Sequence, residues 1–225
     1  MGNTIRLTAA DGHTCDAYIA RPSGRPRGGM VVVQEIFGVN AHVRSVADRF
    51  AAEGYLAIAP ALFDRVSPKF QTGYTPDDIA KARTVVEKVG RETTLIDIAA
   101  AVDLASPAGK VGIVGYCWGG TMAWVSAARL SGLSAAVGYY GGGVLSLADL
   151  QPKCPTMLHF GERDAHIPVD KVRAFAAARP DVPVHIYPAD HGFNCDARGS
   201  YDAPSADLAR SRTYAFFAEH LVSKA

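Results

Sequence analysis

The chain has 225 residues and a formal net charge of +1; hydrophobic residues make up 48% of it and charged residues 20%. This composition is ordinary for a soluble globular protein, and the charge gives no support for binding to nucleic acid or to an anionic membrane surface. No segment approaches the roughly 18 apolar residues of a membrane span, and we find no signal-peptide pattern. We therefore expect one cytoplasmic domain over residues 1–225, as a monomer or a small homo-oligomer.

The four cysteines do not form a metal or redox motif. Cys15, Cys117, Cys154 and Cys195 lack C-x-x-C spacing. We expect reduced thiols and no metal ion.

The chain opens with a predicted β-hairpin, in which Asp11-Gly12 forms the turn between extended segments 4–7 and 14–19. Gly29–Val33 is a continuous apolar, mostly β-branched run, which predicts a fully buried strand. The remaining predicted elements, in chain order, are a helix over 43–51, a strand over 55–59, an irregular segment over 60–75, helices over 76–88 and 93–105, a strand over 111–114, a helix over 121–129, a strand over 135–140, a short segment over 145–150, a strand over 156–160, a helix over 169–178, a strand over 184–187 and a helix over 205–221. This alternation predicts a mostly parallel central sheet with helices on both faces.

The connection after the strand over 135–140 is short. Only about fifteen residues separate Tyr140 from the next strand, at Thr156. A large helical cap does not fit there, so we expect a minimal cap and an open site for a small substrate, unless segment 60–75 forms a cap instead.

The pentapeptide Gly115-Tyr116-Cys117-Trp118-Gly119 lies between a predicted strand and a predicted helix. A sharp strand–turn–helix with flanking glycines is the nucleophile elbow of α/β-hydrolases, which exposes its central side chain. The central residue is usually Ser; here it is Cys. The alternative is a buried cysteine in a tight turn, because free Cys is among the most buried residue types.

Two further residues follow Cys117 in the order of an α/β-hydrolase triad. Asp164 and His191 each come just after a predicted strand, so both are expected at the same edge of the parallel sheet as Cys117. Cys117 would attack a carbonyl carbon, His191 would transfer the proton and Asp164 would orient the imidazole.

Asp190 is the rival to Asp164 as the acid of the triad. His159, within a strand, is expected in the core, whereas His166 is a candidate for the rim of the site.

The loop Gln34-Glu35-Ile36-Phe37-Gly38 follows the predicted buried strand. In this fold, one oxyanion-hole amide comes from such a loop and the other from the residue after the nucleophile, here Trp118. Glu35 is either an exposed loop carboxylate or a carboxyl that faces Cys117 and manages its proton.

Five motifs together resemble the dienelactone hydrolase (carboxymethylenebutenolidase) family. They are Gln34-Glu35-Ile36-Phe37-Gly38, Gly115-Tyr116-Cys117-Trp118-Gly119-Gly120, Gly138-Tyr139-Tyr140-Gly141, Gly161-Glu162-Arg163-Asp164 and His191-Gly192-Phe193. The resemblance extends over nearly the whole chain, from about residue 17 to 221. It implies a cytoplasmic, cofactor-free α/β-hydrolase that opens a small lactone or ester through a Cys-His-Asp triad and an acyl-thioester.

The resemblance also implies residue roles. Glu35 would pair with the resting thiol and then deprotonate it, while Ile36 and Trp118 would supply the oxyanion-hole amides. Two arginines hold the substrate carboxylate in this family. Arg65 is our candidate for the first.

Arg83 is the rival to Arg65 for that role. The position of the second family arginine, four residues after His191, is Cys195 in this chain, and Arg198 is the candidate replacement. This departure puts dienelactone itself in question as the substrate.

Three alternatives stay open beside lactone hydrolysis. The first is a broad carboxylesterase with a retuned pocket, and the second is a binding module that keeps the fold without activity. The third is a thiol redox protein that uses Cys117, although no second cysteine is near it in sequence.

Overall fold

The computed structural model describes residues 2–221. An eight-stranded sheet forms its centre, with the order β1-β2-β4-β3-β5-β6-β7-β8. The strands are β1 (Asn3–Thr8), β2 (Thr14–Ala20), β3 (Gly29–Val33), β4 (Leu56–Pro60), β5 (Val111–Tyr116), β6 (Leu133–Tyr139), β7 (Thr156–Gly161) and β8 (Val184–Tyr187). β1 and β2 form the predicted antiparallel hairpin, β2 pairs antiparallel with β4, and the pairs from β4 through β8 are parallel.

Within residues 2–221, five α-helices lie between strands and a sixth follows β8. They are α1 (Ala41–Ala52), α2 (Pro76–Val86), α3 (Arg91–Ala105), α4 (Trp118–Arg129), α5 (Val169–Ala178) and α6 (Ala203–Leu221). α1 and α6 pack together on one face of the sheet through Phe50 and Phe217, whose ring centroids are 5.9 Å apart, while α3 and α4 pack on the other. The sequence-based prediction of an α/β-hydrolase fold is confirmed.

The apolar runs of the sequence form the centre of the core. Every residue of β3 and β5 is buried, as expected for strands covered by helices on both faces. Local capping chemistry sets the helix starts: Asn40 accepts a hydrogen bond from the Val43 amide, and Thr75 forms a capping box with Asp78. These caps start α1 directly after the Glu35 loop and α2 directly after segment 60–75.

Only short segments cover the carboxyl ends of the strands. The connection from β6 to β7 contains one short 3-10 segment, Gly142–Leu147, which is consistent with the minimal cap predicted. After β4 ends at Pro60, residues 61–75 contain turns, bends and one bridge, between Gln71 and Gly38 of the Glu35 loop. None of the helices in the described range 2–221 has the length and apolar character of a membrane span.

Candidate active site

Cys117 occupies the tight turn between β5 and α4. Its φ of 55° and ψ of −118° lie in a strained region for a residue with a side chain. The turn depends on its flanking glycines, because a Cβ on Gly119 would lie 2.6 Å from the Val33 carbonyl oxygen. The elbow therefore holds the thiol at the edge of a cavity of about 540 Å³.

The side chains of Cys117, His191 and Asp164 form a continuous chain of contacts. Cys117 Sγ lies 3.2 Å from His191 Nε2, and His191 Nδ1 lies 2.6 Å from Asp164 Oδ2. The other carboxylate oxygen of Asp164 accepts a hydrogen bond from the His166 amide at 2.8 Å, which fixes the carboxylate. Asp190, the rival acid, accepts a hydrogen bond from the backbone amide of His191, so it does not orient the imidazole.

The environment of His191 favours its protonated form. Burial lowers the pKa of the imidazole, but hydrogen bonds to Asp164 and Cys117, together with their negative charge, outweigh burial and raise the pKa to about 10. An imidazolium next to a sulfur atom stabilises a thiolate, the reactive form of cysteine. The arrangement therefore places a protonated imidazole 3.2 Å from the Cys117 sulfur, where it can stabilise negative charge.

Two backbone amides are available near the thiol. Ile36, in the loop after β3, and Trp118, the first residue of α4, both line the cavity beside Cys117. Among the described residues, neither amide donates to a carbonyl of the surrounding turns and loops. Both are therefore free to donate to an oxyanion formed at Cys117.

Glu35 is buried, with a relative exposure of 1%, and lies beside a cationic side chain. Arg198 Nη1 is 3.4 Å from Glu35 Oε1, whereas Glu35 Oε2 is buried with no hydrogen-bond partner among residues 2–221. The expectation that Glu35 pairs with the resting thiol is not the arrangement found. The thiol contacts His191 instead, and the carboxylate is paired with Arg198.

Arg65 was wrongly predicted as a carboxylate anchor of the site. It does not line the cavity; its guanidinium makes two hydrogen bonds to Asp97, of 2.7 and 2.8 Å, and an ion pair of 2.8 Å with Asp11. Asp97 is fully buried and needs this partner, so Arg65 is held in the structure by charge neutralisation.

Other cationic groups do line the cavity. They are Arg198, the rival Arg83 and Arg91, and the imidazole of His166, a candidate for the rim of the site, lines the cavity as well. The His166 ring stands edge-on to the His191 ring, with centroids 5.6 Å apart. Arg198 reaches the site although it is seven residues past His191, and its guanidinium carbon lies 5.6 Å from the ring centroid of Phe37 and 5.9 Å from that of Tyr74.

Sequence reasoning missed two residues of this site. Arg91 begins α3 and lines the cavity, but it resembles any exposed helix-terminal arginine in sequence. Tyr140 is fully buried with its ring 5.1 Å from that of His191, and its φ of 39° is unusual for a non-glycine residue. Only its place in the Gly138-Tyr139-Tyr140-Gly141 motif pointed to it. His159, expected in the core, is indeed buried, between Tyr187 and Thr213.

Comparison with known proteins gives a consistent result. Residues 15–221 match the model of the dienelactone hydrolase family. A carboxymethylenebutenolidase of Pseudomonas putida is 34% identical over 227 aligned residues, which cover 95% of this chain and 95% of that protein. An Escherichia coli K12 protein assigned as carboxymethylenebutenolidase is 37% identical over 236 residues, covering 94% of this chain and 84% of that protein.

Solved structures agree with this match. A Klebsiella pneumoniae protein assigned as a dienelactone hydrolase superposes with a TM-score of 0.85 at 35% identity, covering 97% of this chain and 98% of that chain. A dienelactone hydrolase-like promiscuous phosphotriesterase from metagenomic libraries has a TM-score of 0.76 at 22% identity, covering 99% of both chains, and so shares the fold.

Proposed function

This chain belongs to the dienelactone hydrolase family, whose members hydrolyse lactones and esters, and we propose that it does so through a Cys117-His191-Asp164 triad. The observation that carries the proposal is the 3.2 Å contact between Cys117 Sγ and His191 Nε2, in a cavity open to small molecules. The chemistry would pass through an acyl-thioester on Cys117.

In the first half-reaction, the Cys117 thiolate attacks the carbonyl carbon of the lactone or ester. The amides of Ile36 and Trp118 donate to the oxyanion of the tetrahedral intermediate. The C–O bond then breaks, and the leaving oxygen takes the proton from His191. In a lactone this oxygen stays tethered to the acyl group.

In the second half-reaction, water replaces the leaving oxygen. His191, now neutral, accepts a proton from water as the hydroxide attacks the thioester carbonyl. The thiolate of Cys117 leaves, and the carboxylic acid product is released. Asp164 keeps Nδ1 of His191 oriented in both steps and stabilises the imidazolium.

Arg198 and Glu35 would control binding next to the thiol. A substrate carboxylate can compete with Glu35 for the Arg198 guanidinium, since both are anionic oxygen acceptors. Glu35 would then be released from its ion pair, would take the proton of the resting Cys117 thiol to give the attacking thiolate, and would return it after the thiolate leaves at the end of the cycle. Arg83 replaces Arg65 as our candidate for a second contact to the substrate anion, because it lines the cavity.

A broad carboxylesterase is the second candidate. The cavity of about 540 Å³ is within the range that holds drug-sized ligands, and apolar side chains including Ile36, Ile79 and Met122 line it. Cys195 is fully buried and brings no charge to the site. These features would admit neutral esters larger than a small lactone. A thiol redox role is not favoured, because the group that contacts the Cys117 sulfur is an imidazole rather than a second thiol.

The test is kcat/KM for a dienelactone beside that for 4-nitrophenyl acetate, with Cys117→Ala as the blank. Turnover of both substrates that is lost in Cys117→Ala supports the proposal. Preference for the dienelactone assigns the family's lactone chemistry, and turnover of the neutral ester alone assigns the broad carboxylesterase. Undiminished turnover in Cys117→Ala would contradict the triad.

A further inference from the structure

The loop that carries Arg198 is attached to α1 through one carboxylate. Asp196 Oδ1 lies 3.1 Å from His42 Nδ1, and Asp196 Oδ2 accepts a hydrogen bond from Arg49 Nη2 at 2.7 Å. Both carboxylate oxygens are thus held, by two residues one heptad apart on the same face of α1. Neither contact belongs to the triad.

The two partners of Asp196 are themselves well fixed. The His42 side chain is only 1% exposed, and its ring stands edge-on to Tyr116, the residue before Cys117. Arg49 is on the same helix, which starts directly after the loop of Glu35. α1 therefore connects the Asp196 loop to the two segments that carry Glu35 and Cys117.

Asp196 is linked to the cavity through the turn that contains it and the side chain of Arg198. The amide of Arg198 donates to the carbonyl of Cys195 at 3.1 Å, which forms a tight turn around Asp196. The Arg198 guanidinium then passes against Gly192, where a Cβ would lie 2.7 Å from Arg198 Cζ, and ends 3.4 Å from Glu35 Oε1. The contacts that hold Asp196 therefore also hold the turn from which the Arg198 side chain extends to the cavity.

We propose that Asp196 is a positioning residue. Its contacts to His42 and Arg49 hold the 192–202 loop so that Arg198 faces Glu35 and the cavity. The position of Arg198 in turn sets the preference of the enzyme for anionic over neutral esters. The inference rests on the proposed hydrolase function. Asp196 touches no reacting atom; it acts through Arg198.

The electrostatics of Asp196 agree with this role. Burial raises the pKa of its carboxyl, but the hydrogen bonds from His42 and Arg49 and their charges lower it below the usual value. The carboxylate is therefore ionised throughout the range in which the enzyme would work.

Because Asp196 and Arg49 are 44% and 32% exposed, their ion pair contributes little to global stability. Loss of Asp196 should therefore leave a folded protein.

The experiment uses two esters of equal acyl length, mono-4-nitrophenyl succinate, which is anionic, and 4-nitrophenyl butyrate, which is neutral. We expect Asp196→Ala to lower kcat/KM for the succinate about tenfold, chiefly through KM, as for loss of a hydrogen bond to a charged group. The value for the butyrate should stay near that of the wild type. Asp196→Asn keeps the side-chain volume and should show the same selective loss. Asp181→Asn, which breaks an acid–arginine pair with Arg179 outside the cavity, is the matched control and should change neither ester.

A double-mutant cycle tests whether Asp196 acts through Arg198. In an Arg198→Ala background, Asp196→Ala should cause no further loss of succinate preference. Additive losses, equal losses on both esters, or no loss on the succinate would each overturn the inference. Turnover of 4-nitrophenyl butyrate and of a dienelactone by the wild type reports on the proposed function separately, because the absence of both would reject hydrolysis itself.

Discussion

Arg198 and Glu35 form an ion pair, with Nη1 and Oε1 3.4 Å apart, beside the cavity that contains the Cys117 thiol. Glu35 is 1% exposed, so its carboxylate depends on this guanidinium for neutralisation. The pair links the loop after β3 to the loop after His191. A substrate anion that enters the cavity therefore meets an arginine that already has a carboxylate partner.

Gly192→Ala tests how closely Arg198 is packed. Gly192 has a φ of +77°, and a Cβ there would collide with the Arg198 guanidinium. We expect the substitution to displace Arg198 and to raise KM for mono-4-nitrophenyl succinate more than for the butyrate. Gly12→Ala is the control, because Gly12 has a similar φ of +83° with open space around it. An equal rise in KM for both esters would mean that the clash does not act through Arg198.

Cys117→Ser is expected to be far slower than the wild type. His191 lies 3.2 Å from the Cys117 sulfur, and a hydroxyl at the same place is much harder to deprotonate than a thiol. We expect kcat/KM to fall by at least about 10²-fold, within the range typical of proton-transfer catalysis. Measurement with 4-nitrophenyl butyrate decides this, and a serine variant as fast as the parent would contradict it.

The free energy of unfolding should depend on pH through His191. The pKa of His191 is raised from 6.5 to about 10 in the folded protein. The stability that this shift contributes is fully present below about pH 6.5 and is lost as the pH rises through about 10. Because Asp164 is a main cause of the raised pKa, Asp164→Asn should show a shallower decline.

Urea unfolding of the wild type, Asp164→Asn and His191→Gln across this pH interval tests that prediction. His191→Gln removes the titrating group and is the control. Equal slopes for the three proteins would mean that His191 is not coupled to the triad in this way.

Arg65→Ala should destabilise the protein without changing substrate preference. It removes the partner of Asp97, which is fully buried, and breaking a buried ion pair costs about 3–5 kcal/mol. Arg6→Ala, which breaks an exposed pair with Asp16, should cost less than about 1 kcal/mol. Urea unfolding measures both. A rise in KM for anionic esters with unchanged stability would return Arg65 to the substrate site.

The sequence was sufficient for the features that depend on local pattern. The apolar run of Gly29–Val33 is β3 with the predicted bounds, because a strand buried on both faces excludes polar residues. Cys117, Asp164 and His191 meet because each follows the end of a parallel strand, and those ends share one edge of the sheet.

The pairing of charges could not be predicted in this way. Arg65 and Asp97 are 32 residues apart, and His42 and Asp196 are 154 apart, so no local pattern shows that either pair meets. Arg65 was our candidate to hold a substrate carboxylate, whereas α3 supplies it with the buried carboxylate of Asp97. Four of the six helices, α1, α3, α4 and α6, begin two or three residues before their predicted starts. α4 begins at Trp118, inside the elbow, where glycines, which are weak helix formers, obscure the helical pattern.

The central claim is that Cys117 carries the acyl group during turnover. The most direct measurement is mass spectrometry of the enzyme quenched in acid during hydrolysis of 4-nitrophenyl butyrate, followed by peptide mapping. We predict a mass increase of one butyryl group on the peptide that contains Cys117, removed by hydroxylamine and absent in Cys117→Ala. A butyryl group on another residue, or steady turnover with no acylated enzyme at any quench time together with full activity of Cys117→Ala, would contradict the account.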